Sequence, residues 1–134
     1  MATYSYSSTV ANALLNVFGG TAIAANAYAT SGNVYVALHT GDPGSAGTSN
    51  ASAGSSTRVL VAFGSASAGT TTMTTSNPQW TNGGTSETIT AISIWSASSS
   101  GTFITSGQLT TSQAWASGNI IQLSSLSVSI PTAS

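Results

Sequence analysis

Lysine and cysteine are missing from this chain of 134 residues, and only Arg58, Asp42 and Glu87 carry charge. A globular domain is ordinarily about a quarter charged, so hydroxyls and amides must do the work of keeping this surface wet. The lack of cysteine excludes a disulfide framework, a thiolate metal site and a cysteine nucleophile, and it permits either redox compartment. A single arginine excludes counterion-driven binding to nucleic acid, and a net charge of -1 gives no field for acidic membranes. No apolar run approaches the ~20 residues of a transmembrane helix, so membrane insertion is not expected. The opening Met1-Ala2-Thr3-Tyr4-Ser5-Tyr6 has no basic n-region, so a secretory signal is not expected and synthesis in a cytoplasm is. Disorder is excluded from the other side, because the chain is 40% hydrophobic and disordered chains are usually apolar-poor and highly charged. A surface nearly free of charge lacks the repulsion that keeps soluble proteins apart. The composition therefore points to a subunit that lives in contact with other subunits, structural before catalytic.

The pattern of apolar residues predicts one helix followed by strands. After Ser7, Ser8 and Thr9, any of which can cap, Val10, Leu14, Val17 and Phe18 fall at i, i+4, i+7 and i+8, the spacing of one helical face over residues 8–18. Gly19-Gly20 supplies the stop. The stretch Thr21 to Gly32 is too poor in large side chains to form a core of its own. From Asn33 the period changes to two. Val34, Val36 and Leu38 alternate with Tyr35, Ala37 and His39, and Val59, Val61 and Phe63 with Arg58, Leu60 and Ala62. Further strands are expected over 70–76, over 88–95, over 103–109 paired to it through the Ser98–Gly101 turn, over 120–123 and over 126–130. The stretch 40–56 reads as a long loop. Six to eight short strands with one short N-terminal helix predict a single mainly-β domain over 1–134, an antiparallel sandwich of jelly-roll type.

Few residues offer chemistry. His39 is the only histidine, and with two carboxylates and no second imidazole it lacks the partners of a metal or catalytic site. A hydrogen-bonded structural role is expected. Asp42-Pro43-Gly44 reads as a turn in which Asp accepts backbone N–H bonds and Gly tolerates positive φ. No G-x-S-x-G elbow exists to place a serine nucleophile. Arg58 is left two roles, pairing Asp42 or Glu87 within the chain, or giving its fork of N–H groups to a neighbour. Trp95 should face away from Ile92 and Ile94. Trp80 and Trp115 sit in loop-like stretches, where they read as subunit-contact anchors or as platforms for a sugar. The helix face Val10, Leu14, Val17 and Phe18 either closes one end of the sandwich or docks a neighbour. No cofactor or metal is expected.

Several segments in order resemble a family of small tailed-bacteriophage virion proteins labelled tail fibre or minor capsid. Asn33-Val34-Tyr35-Val36-Ala37-Leu38-His39-Thr40-Gly41-Asp42-Pro43-Gly44 is similar to its "LYVALHTADPG" segment, and Thr57-Arg58-Val59 stands where the family has "YAR". Glu87 to Ala97 resembles its "GTVTHFGIWDA" strand, and Gly107 to Gln113 with Leu126 to Ile130 resembles its ending. Thr57, Ala91 and Gln113 replace the usual Tyr, His and Lys. The resemblance implies a non-enzymatic virion component. The expectation drawn from it is a capsid decoration or minor capsid protein that binds the assembled head, partnering the major capsid protein and other copies of itself, as in a trimer. The alternative is a tail or tail-fibre subunit that binds a host receptor or cell-surface glycan.

Overall fold

A computed structural model describes residues 2–23 and 33–133. Among them run nine strands: β1 (Ala2–Tyr6), β2 (Asn33–His39), β3 (Val59–Ala62), β4 (Thr70–Thr72), β5 (Gln79–Thr81), β6 (Glu87–Trp95), β7 (Phe103–Trp115), β8 (Ile120–Gln122) and β9 (Ser127–Ser129). One helix, α1 (Ser8–Asn16), follows β1 and ends in a single 3₁₀ turn, Val17–Gly19. The architecture is mainly β and antiparallel with one short helix, as the residue pattern predicts. Of the small-residue stretch from Thr21 to Gly32, residues 24–32 lie outside the described residues.

Five strands form the main sheet in the order β1-β7-β6-β2-β3. Its register follows from the two-residue period of β2. Val36 faces Ile94 and Leu38 faces Ile92 across the β2–β6 pair, while Tyr35 faces Trp95 and Ala37 faces Ser93. Opposed residues share a face, so the aliphatic residues collect on one side and Trp95 on the other, as expected for that tryptophan. The aliphatic side is the core. Val34, Val36, Leu38, Val61, Ile92 and Ile94 form one buried cluster with Trp80, Trp115 and Leu126.

The pairs β4–β9 and β5–β8 supply the opposing layer of the sandwich. The β4 segment is joined to the β3 segment by main-chain bonds from Thr74 N to Ala62 O (2.8 Å) and from Gly64 N to Thr72 O (3.1 Å), while Met73 N to Leu126 O (2.8 Å) and Leu123 N to Pro78 O (3.0 Å) extend the two pairs themselves. Hydroxyls and amides line up across these pairs. Thr70 Oγ1 and Ser129 Oγ lie 2.9 Å apart, Thr72 Oγ1 and Ser127 Oγ 3.2 Å, and Gln122 Nε2 donates to Gln79 Oε1 at 3.0 Å. Each such pair contributes about 0.2–1 kcal/mol. They stand where a more usual β-protein has cross-strand ion pairs.

Loop 40–58 covers the second face of the sheet. Gly47 lies so close to Phe103 that a Cβ there would come 2.5 Å from Cδ2 of the ring, and its φ is +72°. Only glycine satisfies both conditions. The Asp42-Pro43-Gly44 turn forms as its residues predict, with Gly44 N donating to Asp42 Oδ1 at 2.9 Å and Gly44 at φ 72°.

Three features depart from expectation. Trp80 lies in β5 and Trp115 ends β7 rather than sitting in loops. Both are buried in the chain's own core, at 3% and 2% exposure, because Gln79–Thr81 pairs with Ile120–Gln122 and Glu87 pairs with Trp115. β7 also runs well past Leu109. Between the pairs Ala91–Gln108 and Ile89–Gln113, β6 advances by two residues while β7 advances by five. Residues 109–112 therefore bulge from the sheet opposite Thr90. The third departure is in the helix. Ser7 is the cap, its side chain accepting from Val10 N, but the winding tightens to 3₁₀ at Val17. Val17 and Phe18 lie in that 3₁₀ turn and are exposed, whereas Val10 is buried.

Candidate functional site

Glu87, Arg58 and His39 hold loops to strands, while Asp42 closes a turn within loop 40–58. Glu87 accepts from Ser52 Oγ, from Ala53 N at 3.2 Å and from Gly54 N at 3.1 Å, fastening the end of loop 40–58. Arg58 pairs with neither carboxylate. Its Nη1 donates to the carbonyls of Ser100 (2.6 Å) and Ala97 (3.2 Å), and its guanidinium carbon stands 3.6 Å over the Trp95 ring. The arginine thus clasps the β6–β7 turn from its own chain, using both its donors and its flat cationic face. Trp95 in turn meets Phe103, ring centroids 5.4 Å apart.

His39 is 2% exposed. Its Nδ1 lies 2.8 Å from Ser49 O and its Nε2 2.7 Å from Ser93 Oγ, which also accepts from Trp95 Nε1 at 2.8 Å. A carbonyl only accepts, so the proton sits on Nδ1 and the neutral ring accepts from Ser93 at Nε2. Burial pushes the imidazole below its ordinary value; the Ser49 carbonyl pulls the other way, and the charge of Arg58 adds to the lowering. The relay is satisfied at both nitrogens and has the form of a structural network. Among the described residues no three His, Asp or Glu side chains cluster as metal ligands.

The residues proposed for contact with neighbours divide by burial. Val10 is buried and Leu14 half-buried, whereas Val17 is 51% and Phe18 89% exposed. Leu15 and Ile23, before and after them in the chain, are exposed as well. Trp80 and Trp115 contribute to the core instead, their indole N–H groups bonded to Thr57 O and Asn119 O. Asn82 is a further structural residue, not among those expected. It is 1% exposed, bonds Thr85 O and Trp115 O through Nδ2 and accepts from Gly84 N at Oδ1, tying the β5–β6 turn to the end of β7. Its only sequence signal is the Asn82-Gly83-Gly84 turn composition.

A cleft of about 430 Å³ opens between the bulged part of β7 and the segment following β8. Leu109, Thr110, Thr111 and Gln113 form one wall and Ile121 to Ser125 the other, over a floor of Leu38, Trp80 and Ile92. The bulge makes the opening, because it lifts four residues of β7 away from β6.

The chain belongs to the family described as Podophage GP4 fiber I protein gp80, whose model matches residues 5–131. It is thus a member of a phage fibre protein family, and by that membership a virion component. The match favours the tail-fibre alternative over capsid decoration. No curated protein matches the chain.

Proposed function

We propose that the chain is a non-enzymatic structural subunit of a phage tail fibre, folding as one domain and assembling with further copies of itself. The fibre family matched over residues 5–131 carries this reading. The exposed Leu15, Val17, Phe18 and Ile23 support the assembly part, since apolar side chains grouped on a soluble surface mark contacts between chains. Arg58, Trp80 and Trp115 drop out as contact residues in this reading, because each is spent inside the chain.

Cryo-EM of the source particle tests location. Density for this chain in fibres leaving the tail is the expected result. Density repeating over the capsid lattice would replace it with the head-decoration reading. Light scattering on the purified chain and on Phe18→Ser tests assembly. The native chain should exceed the monomer mass and the variant should fall towards it with its thermal midpoint kept.

A further inference from the structure

We propose that Asn82-Gly83 is a latent site of covalent modification, closed while the β5–β6 turn is folded and converted irreversibly to aspartate or isoaspartate once that turn opens. This goes beyond the fibre reading and does not rest on it. Asn82-Gly83 is the only Asn-Gly pair in the chain. A glycine has no Cβ to hinder approach to its own main-chain nitrogen, so in an open chain Gly83 N can reach the Asn82 carboxamide within the same molecule. The bond from Gly83 N to Asn82 Cγ then forms and the Cγ–Nδ2 bond breaks, ammonia leaving with the hydrogen from Gly83 N. Water opens the cyclic imide at either carbonyl. Attack at Cγ leaves aspartate, and attack at the main-chain carbon leaves isoaspartate. Nothing is oxidised or reduced.

The fold holds both reacting groups. The buried carboxamide of Asn82 donates from Nδ2 to Thr85 O (3.1 Å) and Trp115 O (2.9 Å), and accepts from Gly84 N (2.9 Å) at Oδ1. It cannot turn towards Gly83 without giving up those bonds. The nucleophile is held as well, since Gly83 N donates to Gly54 O at 2.8 Å. The main chain of Asn82 is bonded on both sides, its N donating to Asn119 O (2.9 Å) and its O accepting from Gly118 N (2.8 Å). Reaction therefore requires a local opening that breaks several of these bonds together.

The same contacts prevent the product from returning. In aspartate an oxygen replaces Nδ2, so a buried negative charge faces the carbonyls of Thr85 and Trp115 where two donated bonds had been. Asn82 Oδ1 and Glu87 Oε1 lie 2.5 and 2.9 Å from the point that a Cβ on Gly54 would occupy. The new carboxylate thus stands beside that of Glu87 and repels it, which loosens the end of loop 40–58. Isoaspartate instead adds a methylene to the main chain between the pairs Thr81–Ile120 and Glu87–Trp115. Either way, a chain that has opened and reacted no longer closes its turn.

The test holds the full chain and Gly83→Ala in mildly alkaline buffer, with and without urea, and maps the products by digestion and mass spectrometry. A Cβ on Gly83 would have only Gly54 O near it, at 3.8 Å, and the φ of Gly83 is not positive, so the variant should keep its thermal midpoint. Conversion at Asn82 is expected in urea and should be at least about tenfold slower in the folded chain, an opening equilibrium of about 1.4 kcal/mol or more. In urea the alanine variant should react about tenfold more slowly than the native sequence, a barrier difference of about 1.4 kcal/mol. Converted chains, separated by their added negative charge and returned to native buffer, should melt below unconverted chains taken through the same urea cycle. No conversion in urea, equal rates in the folded and unfolded chain, an undiminished rate in the variant, or converted chains that melt with the unconverted ones would each overturn the proposal. The measurement needs no particle, so a failure here leaves the fibre location to be decided by cryo-EM.

Discussion

His39 shows how a residue that attracts catalytic readings serves the fold. Its neutral ring joins loop 40–58 to the sheet by accepting from Ser93 and donating to Ser49 O. Protonation would place a second donor at Nε2, and Ser93 Oγ would then have to turn its own hydrogen away. In the unfolded chain the imidazole titrates near 6.5, whereas in the fold burial holds it lower. Between the two values the unfolded chain binds more protons, so stability is complete above about pH 6.5, falls as the pH drops through that window, and levels off below the folded value. Urea midpoints across that range should decline on acidification, and His39→Gln should flatten the decline. A midpoint that holds steady or rises as the pH falls would sink the assignment. The sequence gives the role of this histidine by elimination, since it has too few partners for chemistry. It does not give Ser49 or Ser93, because serine is everywhere in the chain and only the fold selects two of them.

Elements were legible where the two-residue period involved large side chains. β2, the body of β6 and the first half of β7 stand out in the sequence because Val, Ile and Leu mark the core face. β5 was not legible, since Gln79-Trp80-Thr81 is three residues with one apolar member, and its identity comes wholly from pairing with β8. The far half of β7 was hidden by the bulge, which interrupts the alternation at residues 109–112 and thereby conceals both Trp115 and the cleft. β1 left no periodic trace either. The hold of loop 40–58 on the sheet is likewise a long-range contact, legible only as an abundance of glycine. Gly47→Ala tests it. A methyl group 2.5 Å from the Phe103 ring at φ +72° should cost about 3 kcal/mol, combining left-handed backbone strain with overpacking. Denaturant melts measure this, and a loss below about 1 kcal/mol would mean that the loop moves aside freely.

For the whole molecule, the scarcity of charge has a structural counterpart. Arg58, Asp42 and Glu87 all bond within the chain, and the outer face of the smaller layer is stitched by hydroxyl and amide pairs. In the assembly proposed above, contacts between copies would rest on apolar burial and neutral hydrogen bonds, which salt barely screens. Sedimentation of the assembled chain should be nearly unchanged between low and moderate salt. A steep loss of assembly with added salt would show that ion pairs matter after all.

The clasp of Arg58 over Trp95 also bears on survival outside a cell. Trypsin cuts after lysine or arginine, and this chain has one such residue in all. Its guanidinium is stacked and doubly bonded, and the scissile bond to Val59 leads directly into β3, which is zipped to β2. A protease must wait for that edge to unravel before it can seat the side chain. Cleavage by trypsin should therefore be slow and yield a single nick, its rate following the opening of the β3 edge.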